Sequence, residues 1–148
     1  MLILKMNQKP LTWKKVALIF RLILGIILLF SLIDFFIHKL SNEYAVPDFY
    51  FRNKIIFGTL IGFLSYFFLR KQTVWPKTLL FSAIISISLQ IRYYLEGYPK
   101  DFVFLFLGIH FVILVVVSWP CFRFTKNYLW WIHSLIRKTN TLLRIPAN

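Results

Sequence analysis

From Val16 to Ile37 the chain is almost unbroken aliphatic and aromatic residue, interrupted by charge only at Arg21 and Asp34. A helix over Val16–His38 at about 1.5 Å per residue reaches roughly 30 Å, the thickness of a bilayer's hydrocarbon core. No soluble fold hides a helix that is apolar all round unless a large body of protein surrounds it. The run's interior is therefore expected to be surrounded by lipid or by other helices. The stretch is also longer than the apolar region of a signal peptide, roughly 7–15 residues, and no small-residue cleavage site follows it. It is expected to be a retained first transmembrane helix.

Three further apolar segments follow, at about 55–69, 78–95 and 102–122. The two middle ones are short between their flanking cations. Lysine and arginine stems can reach outward to the interface, so the helices can extend beyond them. Tyr50, Phe51, Trp75, Tyr93 and Tyr94 stand at the expected boundaries, where interfacial aromatic belts belong. The composition agrees: 59% hydrophobic, 20% aromatic and only 16% charged, against about a quarter charged in soluble domains.

A net charge of +13 raises the question of nucleic acid. The cations flank the apolar runs and do not gather on one face, which excludes that partner class and points to topology. With four spans, Lys5, Lys9, Lys14, Lys15, Arg21, Arg70, Lys71, Lys77, Arg123, Lys126, Arg137, Lys138 and Arg144 share one side. Lys39, Arg52, Lys54, Arg92 and Lys100 share the other, so the eighteen cations divide thirteen to five. The richer side is cytosolic by the positive-inside rule, which puts both termini there; the plasma membrane is the expected location.

The fold class expected is an all-α integral membrane protein: a four-transmembrane-helix antiparallel bundle over residues 1–122, with a C-terminal cytosolic amphipathic helix. In the tail, 123–148, Leu129, Ile132, Leu135, Ile136 and Leu143 recur at helical spacing. Trp130 and Trp131 would sit at headgroup level, with Arg137 and Lys138 drawn to anionic lipid. Pro120 marks the division. In the second helix Gly58 and Gly62 form a GxxxG pair that lets helices approach closely, within the bundle or between copies.

Polar residues within the spans narrow the candidate site. Asp34 and His38 share a face of the first helix; Ser82, Ser86, Gln90 and Tyr94 recur every fourth residue on the third. Counted inward from the outer helix ends, Asp34 and Arg92 lie level, so a salt bridge between the first and third helices is expected. His110 counts about 12 Å deeper than His38. The candidate polar pocket is Asp34, His38, Ser86, Gln90, Arg92 and His110. The plainer reading of the same residues is a structural ion pair with interhelical hydrogen bonds, worth about 0.6 kcal/mol each.

No P-loop, G-x-G-x-x-G, H-E-x-x-H or G-x-S-x-G motif is present. The single Cys121 permits neither an internal disulfide nor a cysteine metal motif. Zinc on Asp34, His38 and Glu96 is chemically conceivable, but no spacing demands it, and the depth count separates the two histidines too far for haem. No metal or cofactor is expected. The function that asks least of these residues is an accessory or assembly subunit without catalysis, binding a membrane partner or further copies of itself. The alternatives are an oligomeric ion or small-solute transporter with an outward-facing pocket, and a membrane enzyme acting on a lipid-borne substrate.

Overall fold

The computed structural model describes residues 12–47 and 49–142, with side chains as far as Thr125. Among them the regular structure is helical: α1 (Trp13–His38), a 3-10 turn (Asn42–Tyr44), α2 (Phe49–Leu69), α3 (Val74–Leu95) and α4 (Lys100–Leu142). Three of these helices, Trp13–His38, Val74–Leu95 and Lys100–Thr125 of α4, are long and apolar enough to cross a membrane.

The helix ends follow local chemistry. After His38 the chain turns through Ser41, whose Oγ accepts the Glu43 amide and opens the 3-10 turn. Pro47 precedes α2 and accepts from the Tyr50 amide. Thr73, extended, caps α3, and Pro76 falls in its first turn where a missing N–H costs nothing. At the far end Gly97 takes φ +84°, and the Tyr98 and Glu96 amides return to the carbonyls of Tyr93 and Arg92. This is a glycine-terminated helix stop that satisfies carbonyls otherwise left without donors.

Two boundaries differ from expectation. α2 starts at Phe49, not near Ile55, because Lys54 does not mark the membrane surface: it is buried within the helix. α4 continues through Pro120 to Leu142, so the division expected at 122–123 is not a break in the helix. A proline removes one backbone donor, and a helix packed on both sides of the site can absorb that loss.

Among the described residues the backbones of α1 and α3 each approach those of α2 and α4, while across the α2–α4 diagonal side chains meet, as Lys54 and His110 do. Ile23, Ile26, Ile27 and Phe30 from α1, Phe81, Ile85 and Leu89 from α3, and Phe106, Leu114 and Val117 from α4 supply the apolar core. α2 contributes little bulk. Its inward face is Tyr50, Lys54, Gly58 and Gly62, one residue per turn. Gly58 and Gly62 receive Ile27 and Ile23 of α1, so this GxxxG face is used inside the fold.

Candidate functional site

Four helices meet around one carboxylate. Asp34 and His38 come from successive turns of α1, Tyr50 and Lys54 from successive turns of α2, Gln90 from α3 and His110 from α4. Asp34 and His110 have no exposed surface, and Lys54 is 1% exposed. An isolated charge so buried would cost many kcal/mol, so a stable arrangement must pair it and satisfy its hydrogen bonds.

That pairing is present. Lys54 Nζ donates to Asp34 Oδ2 at 2.5 Å and to the Tyr50 hydroxyl at 2.8 Å. It also stands 4.6 Å from the centre of the Phe30 ring, where the π-face favours a cation. His110 Nε2 lies 2.9 Å from Asp34 Oδ1 and 3.1 Å from Lys54 Nζ. On the loop side, His38 Nε2 is 3.3 Å from Asp34 Oδ2 and 3.1 Å from the Tyr50 hydroxyl. Its Nδ1 donates to the Tyr44 carbonyl at 2.5 Å, which fixes Nε2 as the nitrogen facing the cluster. Phe106 stacks on His38 with ring centres 4.4 Å apart, and Phe30 meets His110 edge-on. Behind His110, Gln90 Nε2 stands 2.8 Å from Nδ1, while Gln90 Oε1 is buried without a partner.

Of the residues expected in a polar pocket, Asp34, His38, Gln90 and His110 therefore come together, and two do not join them. The Asp34–Arg92 salt bridge does not form: Arg92 Nε bonds Glu96 Oε1 at 2.7 Å on the partly exposed side of α3. Depth counting fixes height along the membrane normal but says nothing of direction around it, and α1 and α3 are diagonal. Ser86 is buried, yet its hydroxyl donates to the Ser82 and Ala83 carbonyls of its own helix. Trp130, Trp131, Arg137 and Lys138, expected as a membrane-surface anchor, lie outside the described side chains.

The histidine depths also need correction. His38 and His110 converge on the same carboxylate, because the His38 side chain lies against Phe106, one turn before His110. Asp34, His38 and His110 offer ligand atoms within 4.8 Å of one another. Lys54 already brings a cation into that space, so the donor set is matched by the chain's own ammonium. Glu96, a conceivable zinc ligand by sequence, is engaged with Arg92.

Sequence reasoning missed Lys54 and Tyr50. Both lie on the α2 face that carries Gly58 and Gly62, and that register was the signal: residues one turn apart with a close-packing glycine pair point inward with it.

Beside the cluster, under the 3-10 turn, is a cavity of about 310 Å³. Phe35, Phe51, Lys39, Asn42 and Pro47 help to line it, and so does His38. His38 thus belongs to both the buried network and the cavity wall. The chain matches no family model, no curated protein and no solved structure.

Proposed function

We propose that this chain crosses the plasma membrane four times as an antiparallel bundle, with both termini cytosolic, and that the Asp34 cluster is a proton-exchange site reached from the non-cytosolic side. In this reading the protein is the proton-linked element of a small ion or solute transporter. The carrying observation is that His38 joins a fully buried ionic network to a cavity at the loop end. Ionisable groups within spans are costly and mark ion pathways and proton relays. A structural ion pair alone does not require a wall shared with a cavity, and that shared wall favours the transporter reading over the accessory subunit expected from sequence.

Several observations support the span count. On α2, Ile56, Leu60, Leu64 and Phe68 form an exposed apolar stripe at one residue per turn, the pattern of a lipid-facing surface. The division of cations, thirteen to five, supports the orientation.

The test is proton movement in liposomes loaded with a pH-sensitive dye, after an imposed pH step. Wild-type protein is expected to accelerate the change several-fold over empty vesicles. The paired variant Asp34→Asn/Lys54→Met, which leaves no unpaired charge, is expected to fold and to return the rate to background. A wild-type rate equal to that of empty vesicles, or a paired variant as fast as wild type, overturns the proposal.

A further inference from the structure

The cluster contains one contact whose hydrogen position is decided by a neighbour. His110 uses both ring nitrogens, Nε2 against Asp34 Oδ1 and Nδ1 against the Gln90 amide nitrogen. With that amide nitrogen donating, Nδ1 must present its lone pair. The ring's one hydrogen is then on Nε2 and goes to Asp34. Lys54 keeps its bonds to Asp34 Oδ2 and Tyr50, and around the His110 ring this leaves Lys54 Nζ and His110 Nε2 as two donors facing each other at 3.1 Å.

Gln90 Oε1 has no partner in this arrangement. Rotating the amide half a turn about its last bond therefore forfeits only the bond to His110 Nδ1. The rotated amide restores that bond with the opposite sense, because Oε1 now accepts where Nε2 donated. Nδ1 must then carry a hydrogen of its own. The heavy atoms of His110 need not move, and Nε2 keeps its hydrogen and still donates it to Asp34.

We infer that His110 Nδ1 is the atom that takes up the exchanged proton, and that Gln90 is the positioning residue that permits it by rotating its amide. This deepens the proton-exchange reading by naming the accepting atom. In the step, a hydronium ion from the aqueous side gives up a proton: one O–H bond breaks, an N–H bond forms at Nδ1, water is released, and the cluster gains one positive charge. The groups facing the ring set the balance. Asp34 of α1 favours the charged ring, and Lys54 of α2 opposes it. His38 lies on the far side of the carboxylate, and Tyr50, with Tyr93 of α3 stacked behind it, links His38 to Lys54. A neutral amide can serve both states of the ring, whereas a carboxylate or an aliphatic side chain at position 90 would favour one.

Ring-nitrogen NMR of protein labelled with 15N-histidine in detergent micelles reads this directly, with His110→Gln identifying the His110 signals. On acidification from pH 8 the wild-type ring is expected to pass from hydrogen on Nε2 alone to hydrogen on both nitrogens. Gln90→Glu should raise the doubly protonated fraction at neutral pH by about tenfold, since a carboxylate accepts a charge-assisted bond from Nδ1. Gln90→Leu should lower that fraction at pH 5 by a similar factor. Identical His110 titration in wild type and Gln90→Glu, or a hydrogen on Nδ1 alone at pH 8, overturns the inference. Protonation of Nδ1 without proton movement in liposomes would sink the transport reading and leave this one standing. Proton movement with a His110 ring that never changes would do the reverse.

Discussion

Lys54→Met is expected to destabilise the protein by about 3–5 kcal/mol, the range seen when one partner of a buried ion pair is removed. The substitution roughly preserves volume, so the loss is electrostatic. It leaves the Asp34 carboxylate with no exposed surface and without its closest cation. The two histidines and Tyr50 remain around it, but none brings a permanent charge. Asp34→Asn alone should also destabilise, since it strands an ammonium among Phe30, Tyr50 and His110. Combining the two changes removes both charges at once. Asn can still accept from His110, and Met fills the channel beside Phe30. The double variant should recover more than half of the loss, a strongly non-additive outcome for residues in direct contact. Thermal unfolding in detergent, followed by circular dichroism, measures all four proteins. A Lys54→Met protein as stable as wild type would mean that the pair does not exist.

Gly62→Leu has the next largest expected effect. A Cβ at position 62 would stand 3.0 Å from Ile23 Cγ2, 3.2 Å from Ile85 Cδ1 and 3.3 Å from Phe81 Cε2. Those atoms belong to α1 and α3, so the residue sits where three helices close on one another. Alanine would gain about 1 kcal/mol of helix propensity and would need those tips to yield by a few tenths of an ångström. Leucine adds three more carbons with nowhere to go, and overpacking of that kind costs about 1–3 kcal/mol. Gly25 and Gly108 provide the contrast, because a Cβ at either meets nothing within 4 Å. Gly25→Ala and Gly108→Ala should leave the unfolding temperature unchanged or raise it. If Gly62→Leu unfolds at the wild-type temperature, the close approach of α1, α2 and α3 is wrong.

How much of this was legible in the sequence depends on which physical signal carried it. The apolar runs and the close-packing role of Gly58 and Gly62 are local or periodic features, and each corresponds to an element in the structure. Asp34, His38 and His110 could be picked out because ionisable groups in apolar runs are few. Lys54 was lost for the opposite reason: near the end of an apolar run, a lysine normally reaches for the surface, and only its neighbours decide otherwise. The Asp34–Arg92 pairing failed because the rotation of each helix about its axis, and the order of helices around the bundle, are set by packing that no single segment encodes. The continuity of α4 past Pro120 is likewise tertiary, since sequence alone makes proline a plausible boundary.

The uninterrupted course of α4 has a mechanical meaning. From Lys100 to Leu142 it covers about 65 Å, roughly twice the hydrocarbon thickness. His110 stands near one end, and about 48 Å of helix lie beyond it. A rigid rod pivoting at that histidine by five degrees would carry its far tip about 4 Å sideways, by the same helix rise. A rearrangement of a few tenths of an ångström around Asp34 is therefore much enlarged at the far end of α4.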